Sequence, residues 1–144
     1  MVSDTFTDVI TTTSTPTSGD FTVVLTDSYD DGWDGAYMDV SVNGTVVLSA
    51  ITVASGASPT TYTFSVEDGD LVETAYTSGS YENEHSYAFY DNLGNPVASD
   101  GPSPGPGISF TADVLEPPAN PIIAINYTAV NHGTIVVGLS LIHI

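Results

Sequence analysis

The chain has 144 residues, 18 of them Asp or Glu and none Lys or Arg, for a formal net charge of −18. That balance excludes a phosphate-binding nucleic-acid surface and works against anionic membranes, whereas 41% hydrophobic residues exclude a disordered acidic tail and can fill the core of one domain. Cysteine is absent, which rules out disulfides, thiolate metal sites and cysteine nucleophiles and leaves the compartment open.

Residues 1–19 are rich in Thr and Ser and read as a linker. They hold neither a basic n-region nor an apolar h-region, so an export signal, if the protein is secreted, is expected upstream. No stretch is long and apolar enough to span a bilayer. From Phe21 the sequence takes on the period-2 alternation of strands. Phe21, Val23 and Leu25 share one face, and Met38, Val40 and Val42 share another with Asp39 and Ser41 opposite. Asn43-Gly44 is a strong hairpin signal leading into "TVVLSAI". In "TTYTFSV" Tyr62, Phe64 and Val66 alternate with Thr and Ser; "EDGD" turns that strand into "LVETAYT". "EHSYAFYD" and "NPVAS" follow around "DNLGN", and "DGPSPGPG" leads to "ISFTADV".

Short strands at this spacing, with no helical period, predict an all-β antiparallel sandwich of about eight strands over residues 20–115. Jelly-roll and immunoglobulin-like topologies both remain open. Leu25, Met38, Val40, Val42, Phe64, Val66, Tyr62, Tyr87 and Phe89 are the expected core. Residues 116–121 ("EPPANP") form a stiff linker, and residues 122–138 resemble the opening of a further, truncated β segment. The last six residues, 139–144 ("LSLIHI"), resemble translated read-through of a sequencing adapter at the edge of an assembled metagenomic fragment, and they are kept out of the functional argument.

The stretch "DSYDDGWDGAYMDV" crowds Asp27, Asp30, Asp31, Asp34 and Asp39 together. Two like charges ~4 Å apart repel by about 1 kcal/mol even in water, and no cationic side chain is available to offset them. An EF-hand template starting at Asp27 fits positions 1, 5 and 6 but fails at Tyr29 and Met38, and its flanks are strands rather than helices. What remains is a tight loop in which Gly32 and Gly35 supply the φ > 0 turns that let Asp27, Asp31 and Asp34 converge on a hard cation. An acidic surface turn is the competing reading.

"DSYDDGWDGAYMDVSVNG" resembles the "DSYGDGWNGA…VNG" signature of β-sandwich modules in large secreted bacterial and algal proteins. The later signature positions correspond to Gly69-Asp70, to Gly79, Tyr81, Glu84, Ser86 and Tyr87, and to Gly94, Val97, Asp100 and Gly101. Asp30 stands where the signature has Gly, and Asp34 where it has Asn. The resemblance covers most of residues 20–113 and implies an accessory unit with no activity to carry over. It also implies that Glu84 reaches the acidic loop from the start of its own strand. The expected Ca²⁺ ligands are therefore Asp27, Asp31, Asp34 and Glu84, with Asp30 a neighbour and Glu82, on the same extended face, the weaker carboxylate.

Other constellations are sparse. A hydrolytic carboxylate pair needs a cleft, and no serine sits in a nucleophile-elbow context. Of the three histidines, His132 and His143 lie in the tail, and His85 is expected to face solvent, with a transition-metal ligand as the other reading. Trp33 either caps the core beneath the loop or, with Tyr29 and Tyr81, offers a sugar-stacking platform. The expectation is a monomeric, non-catalytic, extracellular or cell-surface module. Calcium would stabilise it, and it would serve adhesion or spacing beside glycans or cell-surface proteins, with no nucleic acid and no membrane insertion. A carbohydrate-binding module appended to a secreted enzyme is the alternative.

Overall fold

The computed structural model describes residues 17–118 and the backbone of two further strands, 122–130 and 134–142. Most of the 1–19 linker, His132, His143 and the end of the 116–121 linker lie outside the described residues. Eight strands build the sandwich: β1 (Ser18–Asp27), β2 (Tyr37–Val42), β3 (Thr45–Ile51), β4 (Thr60–Glu67), β5 (Leu71–Thr77), β6 (His85–Tyr90), β7 (Pro96–Asp100) and β8 (Ser109–Thr111). One 3₁₀ turn, Glu82–Glu84, is the only helical element among the described residues, and no helix there is long and apolar enough to cross a membrane. β1 opens at Ser18, two residues before the expected boundary.

The strands form two four-stranded antiparallel sheets, ordered β4-β1-β6-β7 and β3-β2-β5-β8. The first strand lies inside its sheet, between β4 and β6, whereas the first strand of the immunoglobulin arrangement sits at an edge. β9 (Ile122–Val130) and β10 (Thr134–Ile142) pair as an antiparallel hairpin, whose second strand includes Leu139–Ile142.

Alternation decides what each strand buries. On β1, Phe21, Val23 and Leu25 point inward together with Asp27, the next position of the same face. Met38 and Val40 of β2, Phe64 and Val66 of β4, Val72 and Tyr76 of β5, and Tyr87 and Phe89 of β6 complete the core. Val42 and Tyr62, both expected inside, are partly buried and pack against its edge. Aromatic rings bridge the sheets: Phe110 of β8 lies 5.2 Å from Phe89 and 6.5 Å from Phe21, and Tyr76 lies 6.4 Å from Tyr87. Such pairs add about 0.5–1.5 kcal/mol each beyond the area they bury.

Asn43 (φ 50°) and Gly44 (φ 80°) both take the left-handed conformation that a two-residue hairpin turn requires. The β2–β3 pair is less regular beyond that turn. Its register shifts twice between Met38 and Ser41, and the Asp39 carboxylate accepts the Ala50 N–H at 2.6 Å.

Candidate metal centre

The loop between β1 and β2 is fixed to the sandwich at several points. Trp33 donates its backbone N–H to the Val53 carbonyl (3.0 Å) and its indole N–H to the Thr26 carbonyl (3.1 Å). Its ring stacks on His85 at 5.3 Å and meets Tyr76 edge-on at 5.6 Å. With 0% of its surface exposed, Trp33 is a core residue and has no face to offer a sugar. That corrects its place in the stacking platform. Tyr29 and Tyr81 are 76% and 64% exposed.

One carboxylate of the loop, that of Asp30, is bonded to the connection between β3 and β4. Asp30 accepts the Ser58 N–H through Oδ1 (2.9 Å), and its carbonyl accepts the Gly56 N–H (2.8 Å). Ser58 also bridges back to β1, its Oγ accepting the Asp27 N–H at 2.8 Å and donating to the Asp27 carbonyl at 2.9 Å. No sequence pattern announces that contact. Asp30 and Asp34 have φ of 60° and 39°, the left-handed region that Gly and Asn tolerate most readily.

Asp27 is 3% exposed because it continues the inward face of β1. A buried carboxylate has to be hydrogen-bonded: Oδ2 accepts the Gly32 N–H at 2.7 Å and Oδ1 the Tyr29 N–H at 3.2 Å. Glu84 comes from the turn before β6, the strand that pairs with β1 in the same sheet, and is tied in by the Ser28 N–H, which donates to its carbonyl at 3.0 Å. Asp27, Asp31 and Glu84 each bring one carboxylate oxygen within 4.8 Å of the others. Oxygens bound to one calcium at about 2.3–2.6 Å can be no more than roughly 5 Å apart, so the three fit around one hard cation. Each oxygen of Asp27 keeps a lone pair beyond its N–H contact.

Two expected members are not part of this trio. Asp34 lies near enough to act on Glu84 through its charge but does not join the converging oxygens; its left-handed turn leaves the side chain exposed while its carbonyl accepts the Ser80 N–H. Asp30 is committed to the Ser58 turn. Glu82 is also placed differently from the extended-strand expectation. It sits in the 3₁₀ turn with Glu84, which is the last residue before β6 rather than the first residue of it. Its carboxylate accepts the Tyr76 hydroxyl (2.8 Å) and the Gly79 N–H (2.5 Å).

His85 is the clearest correction. It is fully buried, not solvent-facing, because it occupies the same inward face of β6 as Tyr87 and Phe89. Its Nδ1 lies 2.9 Å from the Tyr76 hydroxyl. Tyr76 has one proton to give, and Glu82 can only accept while ionised, so the network runs from His85 Nδ1–H to Tyr76 O–H to Glu82. Burial first, then the bond to Glu82, holds the Tyr76 hydroxyl well above the usual phenol range. Nε2 of His85 is left buried without a partner among the described residues.

Desolvation, followed by the charges of Asp31, Asp27 and Asp34, pushes the Glu84 carboxyl above its usual range. In the absence of a cation, the stability tied to this group is present below the unfolded-state value and is lost as pH rises through the higher folded value. At neutral pH without a divalent cation, Glu84→Gln should therefore melt higher than the parent. The difference should vanish as pH falls below the ordinary Glu range. Thermal melts in chelator across pH check this, and a lower melting temperature for the variant at neutral pH would contradict it.

Beside the loop lies an open depression of about 510 Å³ lined by residues including Asp31, Asp34, Tyr37, Thr52 and Ser55. No family model, curated protein or solved structure matches the chain.

Proposed function

We propose that residues 18–115 form a non-catalytic module of a larger secreted protein, stabilised by calcium and serving adhesion or spacing at the cell surface. The observation that carries this reading is the convergence of Asp27, Asp31 and Glu84 from two separate segments in a chain with no Lys or Arg. The donor set is all oxygen, which suits calcium or magnesium and not a soft transition metal. Magnesium demands a near-ideal octahedron and gives up its waters reluctantly, whereas calcium accepts irregular oxygen shells, so calcium is the ion proposed. A bound ion would cancel the mutual repulsion of the trio and join the β1–β2 loop to the turn before β6. The resemblance to accessory modules of secreted proteins points the same way. Glycans or surface proteins are the partner classes proposed, and the exposed rings of Tyr29 and Tyr81 are the aromatic surfaces left to meet them.

Extracellular calcium sites have Kd of about 10⁻⁴–10⁻³ M, and free calcium at about 100 times Kd adds roughly 2.7 kcal/mol of stability. Calcium should raise the melting temperature and chelator should lower it, with magnesium restoring little. Asp31→Asn should remove the calcium dependence without unfolding the protein. Titration calorimetry with no heat at millimolar calcium, together with melts indifferent to chelator, would reject the site.

A further inference from the structure

At the other end of β2, the Asn43-Gly44 turn is tied to the turn between β4 and β5. The Asn43 carboxamide donates through Nδ2 to Asp70 Oδ1 at 2.7 Å and accepts the Leu71 N–H through Oδ1 at 2.9 Å. The Asn43 N–H donates to the Leu71 carbonyl at 2.8 Å. Asp70 Oδ2 in turn accepts the Glu67 N–H at 2.7 Å. A single side-chain amide thus joins the β2–β3 hairpin turn to the connection that carries β4 of one sheet into β5 of the other, on an exposed surface that water reaches.

An Asn followed by Gly carries its own chemistry. The Gly amide nitrogen, unhindered by a side chain, attacks the Asn Cγ and closes a succinimide ring; the C–N bond to the side-chain nitrogen breaks and ammonia leaves with the proton released. Water then opens the ring to aspartate or isoaspartate, so the net reaction consumes one water and releases one ammonia.

We propose that Asn43 is a gated deamidation site: the Asp70–Leu71 clamp protects it in the folded module, and its conversion breaks the link between the two turns irreversibly. Gating follows from geometry. The carboxamide is held at both of its polar atoms by groups of the β4–β5 turn, so Cγ is free to approach the Gly44 nitrogen only after both bonds open. Each net hydrogen bond corresponds to roughly a two- to tenfold population factor, so the pair should slow the reaction by about tenfold or more. The damage follows from charge. Conversion replaces the donor that faces Asp70 with an acceptor oxygen, leaving two carboxylate oxygens opposed where a hydrogen bond had been.

The test compares deamidation of the intact module with that of a free peptide spanning residues 40–46, incubated together at mildly alkaline pH and read by chymotryptic mapping of position 43. The peptide should convert at least about tenfold faster, and Asp70→Ala in the intact module should move its rate toward that of the peptide. Equal rates for module and peptide, or an Asp70→Ala rate no faster than the parent's, would overturn the gate. The consequence is tested separately. N43D, the reaction product made directly, should melt below the parent. The swapped pair N43D/D70N, which again places a donor opposite an acceptor and keeps an oxygen for the Glu67 N–H, should recover most of the loss. An N43D variant as stable as the parent, or a swap that recovers nothing, would overturn the proposed break.

Discussion

Trp33→Ala should destabilise the sandwich by about 3–5 kcal/mol and weaken its response to calcium at the same time. The indole is fully buried between His85 and Tyr76, so truncation removes two ring contacts and opens a cavity that the surrounding strands cannot collapse into. It also removes the indole bond to the Thr26 carbonyl. Because Asp31 lies two residues before Trp33, the loop that presents its carboxylate loses its anchor in the core. Trp33→Phe separates the parts: it keeps a ring but loses the indole N–H, and should cost less, with about 0.5–1.5 kcal/mol of the loss belonging to the hydrogen bond. Denaturant unfolding with and without calcium measures both effects. A near-neutral Trp33→Ala would mean that the loop holds its shape without the ring.

The second large effect is expected at Asp91, just after β6. Its carboxylate is buried yet accepts the N–H groups of Leu93 (2.8 Å) and Asn95 (2.9 Å) and both of its oxygens meet the Asn95 side-chain amide. Burial alone would raise its pKa, but the side-chain and backbone donors of Asn95 and the N–H of Leu93 outweigh it and hold the group below the ordinary Asp range. The sign is opposite to that at Glu84. Stability from Asp91 is present above the unfolded Asp value and is lost as pH falls through the lower folded one. Asp91→Ala strips several charge-assisted bonds from a turn that water partly reaches, so about 2–4 kcal/mol is expected at neutral pH. In a domain of this size each kcal/mol is worth roughly 4–8 °C in melting temperature. The deficit should shrink as pH falls below the ordinary Asp range, and a deficit independent of pH would show that the carboxylate charge is not what holds the turn.

The strands were legible because burial follows a period of two, and the inward sets of β1, β2 and β4 fall where alternation puts them. The same rule, applied without regard to polarity, reaches His85 by counting back from Phe89 and Tyr87; weighting imidazole as a surface group is what sent it to solvent. Asp27 is the parallel case on β1, an acidic residue on an apolar face. The acidic loop was legible as a place of unbalanced charge. Its division of labour was not, since Asp30 answers to Ser58 and Glu82 to Tyr76, partners that only tertiary folding brings near. Glu84 entered through the resemblance. Spacing alone would not have separated it from Glu82, because the 3₁₀ turn at Glu82–Glu84 breaks the strand periodicity there.

The central position of β1 sets the order in which the molecule can be completed. Thr22 pairs with Thr63 on one side and with Tyr90 on the other, so the first strand of the sandwich to be synthesised waits for distant partners. After β4 arrives, β1 still presents one open edge, whose unpaired N–H and C=O groups can recruit any passing strand while the apolar face of Phe21, Val23 and Leu25 stays uncovered. Closure of that edge by β6 also delivers Glu84 to the acidic loop and His85 to Trp33. Pairing at such separations belongs to the slow, millisecond-to-second class of folding. Nascent chains that stop short of Tyr90 are therefore the species most exposed to aggregation, and the high negative charge supplies the repulsion that keeps them apart.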